Sequence, residues 1–297
     1  MKNLAFNLFS RILKKVDYFL VITGLFSYLL GCSVADFLGT SLDFESIILG
    51  LFLLLSIYIT FIIIDLYFEG SYLRENSKPD QKTKIQLIFL LALIAIFLFL
   101  IAFLIFLIQS KIQINLETWL FLGTVFFFSI LLVLPKLKND LDPFSLFIKS
   151  FMVSALIPAI ALLLQRYELN RILSLLALPL FFLHAASSLA GSFSRYASDL
   201  SKKRQTTLVS LGWEKGIFFH NIMVLLVFLL LGLGPLFGLA WKVIWPALTT
   251  GIVGLFQIFQ LQKIAQGGKP NWLLLNWTAL ILYAAIVYML MFAFFIY

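Results

Sequence analysis

Long apolar runs alternate with short polar breaks along this chain, and the runs lack the one-sided pattern of amphipathic helices. Nine runs stand out, at about residues 17–39, 46–69, 85–109, 118–135, 144–165, 170–193, 216–240, 242–262 and 272–296. Each approaches or exceeds the ~20 residues that carry an α-helix across a hydrocarbon core of about 30 Å. The strands of a membrane β-barrel are shorter and alternate apolar with polar positions; these runs are apolar all round. The pattern predicts an all-α, polytopic membrane protein of about nine transmembrane helices, organised as a single transmembrane domain over residues 1–297. Pro179, Pro235 and Pro246 fall in the sixth, seventh and eighth runs, where neighbouring helices or polar groups must re-satisfy the backbone a proline frees.

Composition agrees. Only 12% of the residues are charged, about half the roughly 25% of ordinary soluble domains. The net charge of +8 speaks to orientation rather than to nucleic-acid binding. With the N-terminus in the cytoplasm, 18 of the 22 Lys and Arg fall in cytoplasmic segments, and Lys111, Arg166, Arg171 and Lys242 are the exceptions. Such an excess of basic residues on one side sets topology, and removing or adding a span in the middle would erase it. The expected location is the cell membrane, multi-pass, with a cytoplasmic N-terminus. Cys32 is the only cysteine, which excludes an internal disulfide and a Cys-rich metal site. His184 and His220 are too few for a His-based zinc site.

Charge gathers in two places, Ile62–Asp80 and Ser194–Gly212, each at the end of an apolar run and each on the cytoplasmic side in this topology. Charge beside a membrane is costly unless a counter-ion, water or metal balances it. In the first segment Asp65 and Glu69 are four apart, on one face of a helix. Mg2+ suits two such carboxylates together with water and phosphate oxygens. Arg74, Lys78 and Lys82 follow, with Glu75 and Asp80 among them. The second segment holds Asp199, Lys202, Lys203, Arg204, Thr206, Thr207 and Gly212. Each alone also reads as a solvated, topology-setting loop. Asp140 and Asp142 lie on the same side, between the fourth and fifth runs.

Taken together, the two segments resemble the signature loops of the UbiA superfamily, the intramembrane aromatic prenyltransferases. That family's first motif runs N-D-x-x-D-x-x-x-D, then a basic residue and an N-x-P-type turn. Here the stretch is Asp65-Leu66-Tyr67-Phe68-Glu69-Gly70-Ser71-Tyr72-Leu73-Arg74, followed by Asn76 and Lys78-Pro79-Asp80. The second motif is D-x-x-x-D, a Lys/Arg stretch, then T-L and L-G. It is matched by Arg195 to Asp199, Lys203-Arg204, Thr207-Leu208 and Leu211-Gly212. The loops span about residues 65–84 and 194–214.

The resemblance implies a UbiA-like bundle around a central cavity and a Mg2+-dependent transfer of a polyprenyl group from its diphosphate to an aromatic or lipid acceptor. On that reading Asp65, Glu69 and Asp199 are the catalytic, metal-holding carboxylates. Arg74, Lys78, Arg195, Lys202, Lys203 and Arg204 meet the diphosphate. Tyr67, Tyr72 and Tyr196 offer aromatic faces to an allylic cation. His184 is a pocket candidate, with an interhelical hydrogen-bonding role as its alternative. The partners implied are a polyprenyl diphosphate, a hydrophobic acceptor of unspecified identity and the bilayer.

The departures from the pattern are specific. Asp65 stands where the family has Asn, and Glu69 replaces an Asp. Leu66 and Leu73 occupy carboxylate positions, and Arg195 replaces the first Asp of the second motif. The acids that remain suit one Mg2+ better than two, and Arg195 is able to pair with phosphate directly. The same departures fit an alternative, a catalytically degenerate UbiA-fold protein that binds isoprenoid or lipid headgroups. A small membrane transporter is a further alternative, suggested by Gly232, Gly234, Pro235 and Gly238. Against it, the middle of the spans carries almost no ionisable side chain besides His184, so a coupled ion path is unsupported.

Overall fold

The computed structural model describes residues 17–72, 115–133 and 141–297, which contain no strand. Three helices come first: α1 Tyr18–Phe37, α2 Phe44–Tyr72 and α3 Leu116–Val133. The helical span Asp142–Arg166 is α4, and Arg171–Phe193 is α5. Two short helices follow, α6 Tyr196–Ser201 and α7 Thr207–Leu211. The remainder are α8 Trp213–Leu233, α9 Trp241–Leu248, α10 Gly251–Ala265 and α11 Trp272–Ile296.

Among the described residues, six helical units are long and apolar enough to cross a membrane: α1, α4, α5, α8 with its extension to Phe237, α9 with α10, and α11. With the apolar stretches Phe44–Thr60 and Leu116–Leu132 they coincide with eight of the nine predicted runs. The third run, 85–109, lies outside the described residues.

Local chemistry sets where the helices begin. Asp17, Asn170 and Asn271 cap α1, α5 and α11, their side chains accepting from the N–H groups of Leu20, Ile172 and Leu274. Asp43 does the same for α2 through the N–H groups of Glu45 and Ser46. These bonds occupy donors that a helix start leaves open. Trp213, Trp241 and Trp272 each open a helix, as side chains with one apolar and one wet end do at a membrane boundary.

The prolines behave differently from one another. Pro179 sits inside an unbroken α5. Pro235 enters the 3-10 turn Gly234–Phe237 that ends the seventh run. Pro246 precedes the break between α9 and α10, where the hydroxyls of Thr249 and Thr250 donate to Pro246 O and Ala247 O, both at 2.6 Å. In α4 the segment Met152–Leu156 is π-helical, and Ile157 N–H reaches back five residues to Met152 O. The widened turn directly precedes Pro158, which has no N–H to give.

Two apolar clusters form the interior. The larger draws on α1, α4, α5, α8, α9 and α11. The smaller joins α1, α2, α3 and α4 through Tyr28, Leu53, Ile57, Val125 and Ile160. Glycine allows two close approaches. A Cβ on Gly31 would lie 2.2 Å from Pro158 O on α4, and one on Gly50 would lie 2.1 Å from the Tyr28 hydroxyl. Small residues at helix contacts let backbones meet where water-driven packing is absent.

One end of the bundle carries the charged elements. Tyr58, midway along α2, ties to the start of α1: its hydroxyl accepts from Asp17 N–H at 2.7 Å and donates to Asp17 O at 3.3 Å. Asp65 and Glu69 lie further along α2 in the same direction, by roughly 10 and 16 Å of helical rise. α7 packs on Asp142–Phe144 at the start of α4. Trp213 and Trp272, opening α8 and α11, meet edge to face at 6.2 Å. The last turns of α2 and the second charged segment therefore share this end, called here the loop end.

Candidate functional site

The second segment is built as two short helices joined by a tight turn. Asp199, in α6, is buried, with only 8% of its surface exposed. Arg204 closes the turn around it: its backbone N–H donates to Asp199 O at 2.9 Å, and its guanidinium stands 3.8 Å from Asp199 Oδ1. Lys203 reverses the chain with φ of 55°. Thr206 caps α7, and Gly212, with φ of 80°, joins α7 to α8 in a conformation that side-chain-bearing residues avoid. Arg195, Lys202, Lys203 and Arg204 are exposed at the loop end. Tyr196 packs its ring on Trp213 at 5.5 Å, and Trp213 is edge-on to Phe193 at 5.0 Å. This aromatic group holds the loop against α5 and α8.

Beside this loop lies a cavity of about 290 Å3 between α1, α2, α3 and α4. Its wall is apolar, with Leu20, Leu54, Ile57, Val125, Val153 and Ile157. Its polar groups gather toward the loop end: Asp17, Tyr58, Ser129, Asp142, Ser145 and Lys149. A long apolar pocket with a few convergent polar groups is the form that small-molecule sites take. Lys149 Nζ lies 3.8 Å from Asp17 Oδ2, with 38% and 44% of the two side chains accessible. The second segment borders this cavity through α7 and the Asp142–Phe144 turn it packs against.

The sequence-predicted site residues are distributed as follows. Asp65, Glu69, Tyr67 and Tyr72 are on the last turns of α2; their side chains lie outside the described set. Arg74 and Lys78 lie outside the described residues altogether. Asp199, Arg195, Lys202, Lys203 and Arg204 share the second loop, and Tyr196 belongs to the aromatic group beneath it. Among the described residues no three His, Cys, Asp or Glu side chains converge as a metal site. His184 is fully buried and joins three helices: Nε2 to Thr23 Oγ1 at 3.2 Å on α1, and Nδ1 to Ser150 Oγ at 2.9 Å on α4. The rings of Phe19 and Tyr283 face it at 5.4 and 5.5 Å. It is an interhelical hub and is not part of the cavity wall.

Sequence reasoning did not find Asp17, Tyr58, Ser145 and Lys149 as cavity residues. Lys149 had a usable signal: it falls inside the fifth apolar run, and an ionisable side chain there marks a site by default. In the charge pattern it contributes to the cytoplasmic excess of basic residues, which masks that signal. Tyr58 gave no signal, being one of ten tyrosines in an aromatic-rich chain.

No protein-family profile matches the chain, and no curated protein does. Solved structures do. A UbiA homologue from Archaeoglobus fulgidus bound to DMAPP and Mg2+ is similar at 17% identity, with a TM-score of 0.60 over 95% of this chain and 100% of that one. The same homologue bound to GPP and Mg2+ gives 16% identity and a TM-score of 0.59, over 93% and 99% of the two chains. A structure described for digeranylgeranylglyceryl phosphate synthase in membranes gives 15% identity and a TM-score of 0.56, over 93% and 91%. The chain has the fold of the UbiA homologues.

Proposed function

We propose that this protein is a prenyltransferase of the UbiA type, moving a polyprenyl group from its diphosphate to a hydrophobic acceptor within one transmembrane domain. The observation that carries the reading is the fold, shared with structures that hold GPP or DMAPP with Mg2+. The apolar cavity with its polar groups gathered toward the loop end supports it. The excess of basic residues supports a cytoplasmic loop end, in a chain that is multi-pass in the cell membrane.

The residues present suit Mg2+. Asp65 and Glu69 offer oxygen donors one turn apart on α2, the ligand type a hard cation takes. Asp199 Oδ1 lies 3.8 Å from Arg204, too far for a direct hydrogen bond, which leaves its oxygens able to turn toward a ligand. These three would hold the ion, and bound Mg2+ supplies charge neutralisation as the diphosphate departs. Arg195, Lys202, Lys203 and Arg204 grip the diphosphate from the second loop, and Arg74 and Lys78 from the first. The apolar wall takes the prenyl chain and excludes water from the allylic centre. Tyr67, Tyr72 and Tyr196 supply ring faces near it.

The test is a transfer assay with labelled polyprenyl diphosphates, Mg2+ and a panel of quinone-precursor, porphyrin and lipid acceptors. Transfer is the expected result; absence of transfer, with no thermal stabilisation by prenyl diphosphate and Mg2+, overturns the proposal. The double substitution Asp65→Ala with Asp199→Ala abolishes diphosphate binding if both loops serve one site, and retained binding refutes that arrangement. A second reading is favoured by Arg195 and by the Asp199–Arg204 contact: a protein that binds prenyl diphosphate without turning it over. Thermal stabilisation without transfer to any acceptor would select it.

A further inference from the structure

Lys149 and Asp17 form a pair that the diphosphate site does not use. They face each other across the polar part of the cavity at 3.8 Å. A charge-assisted N–H···O bond is about 2.7–2.9 Å long, so the two groups attract without completing a hydrogen bond to each other. Each keeps hydrogen-bonding capacity toward the cavity, and each is more than a third accessible. The surroundings hold them in place. Asp17 Oδ1 accepts from Leu20 N–H, and the Asp17 backbone is tied on both sides to the Tyr58 hydroxyl. Lys149 projects from the second turn of α4, one turn beyond Ser145, whose hydroxyl donates to Asp142 O at 2.8 Å.

We infer that this pair is the seat for the head of the acceptor, and that the head is an uncharged hydroxyl, a phenol or an alcohol. A hydroxyl both donates and accepts, so it is able to bridge the gap, giving its proton to Asp17 Oδ2 and receiving one from Lys149 Nζ. A carboxylate head would gain Lys149 but meet Asp17. An ammonium head would gain Asp17 but meet Lys149. Each charged head pays a repulsion that the neutral one avoids. The pair sits nearer the apolar wall than the acid-bearing turn of α2, which lies roughly 10 Å further along the helix axis. A head seated there lies on the apolar side of a diphosphate held at the loops, where the reacting carbon of its prenyl chain lies. This inference rests on the prenyl-transfer reading for the identity of the ligand as acceptor. In transfer, the hydroxyl oxygen forms the bond to the prenyl carbon, the carbon–oxygen bond to the diphosphate breaks with its electron pair on the diphosphate, and Asp17 takes the hydroxyl proton.

Three probes with one carbon skeleton and different heads test it: geraniol, geranate and geranylamine. Their binding is measured to the full chain in lipid nanodiscs at neutral pH, with protein-free discs as background. In the unaltered protein geraniol is expected to bind best. Asp17→Asn, which keeps the helix cap, removes the carboxylate paired with Lys149, leaving Asp142 as the cavity's other acid, and shifts preference toward geranate by about tenfold or more. Lys149→Met leaves Asp17 unopposed and shifts it toward geranylamine by a similar factor. Comparing each variant with the unaltered protein cancels the partitioning of the probes into lipid. A charged probe preferred by the unaltered protein, or the same ranking of heads in both variants, overturns the inference. GPP binding with Mg2+ is followed in parallel. Its absence beside intact charge-swapped preferences defeats the prenyl-transfer reading alone; its presence beside unaltered rankings defeats this inference alone.

Discussion

His184 shows what a polar side chain does in a bundle with little water to satisfy it. The hydroxyls of Thr23 and Ser150 that meet it are also 2.8 Å from Phe19 O and Leu146 O. Replacing the ring with an apolar one therefore leaves both hydroxyls a partner. His184→Leu is expected to lower unfolding stability by only about 1–2 kcal/mol, as interhelical hydrogen bonds in membranes are individually modest, and to leave the proposed prenyl transfer in place. Unfolding of detergent-solubilised protein measures the first, the transfer assay the second. Loss of transfer at preserved stability would instead put the imidazole in the chemistry. Ser154 and Ser187 present the opposite case, buried hydroxyls with no hydrogen-bond partner among the described residues. Ser154→Ala and Ser187→Ala are expected to be neutral or stabilising by up to about 1 kcal/mol, because an unmade bond carries only a desolvation cost; a marked fall in melting temperature would show a partner. At this scale the sequence was least legible. Asp17 was visible as the start of an apolar run, but its meeting with Lys149 is a tertiary fact, set by how α1 packs on α4.

Helices as units were readable because membrane spans are specified by apolar length alone, which needs no partner to be recognised. The start of α2 adds a titratable element. The Asp43 carboxyl is held below the ordinary carboxylate range chiefly by the Ser46 hydroxyl, aided by the Ser46 and Glu45 N–H groups and opposed by a slight desolvation at this exposed position. A folded value below the unfolded one stabilises fully above the unfolded pKa of about 3.9, and that stabilisation disappears as pH falls through the folded value. Asp43→Asn keeps a cap without the titration, so its melting temperature should fall less than that of the unaltered protein on acidification below about pH 4. Equal falls would show that the cap contributes nothing to acid sensitivity. The contact between α1 and α4 is stricter. Gly31→Val forces a branched side chain onto Pro158 O and Ala161, and overpacking of this kind costs about 1–3 kcal/mol or more, measurable as early unfolding. The Pro positions were flagged in the sequence as possible breaks, yet only packing and hydroxyl placement decided that α5 runs through Pro179 while the chain near Pro246 does not.

For the whole molecule, fold and cavity are linked through glycine as well. Gly24 lines the cavity, and a Cβ there would meet only Ile157 Cδ1, at 3.5 Å. Gly24→Trp should fold, fill the chamber and weaken GPP binding by about tenfold or more, as read by calorimetry beside a thermal unfolding control. Undiminished binding would place the prenyl chain elsewhere. The motif residues announced the fold because loop signatures are local in sequence, whereas the chamber itself is assembled from four helices and has no local signature. The π-helical turn in α4 has one further consequence. With one residue more than an α-turn holds, it changes register between the half of the span that faces the chamber and the half that receives α1. Counting strictly by helical period from either end of α4 therefore misassigns the faces of the residues beyond Met152–Leu156 by one position.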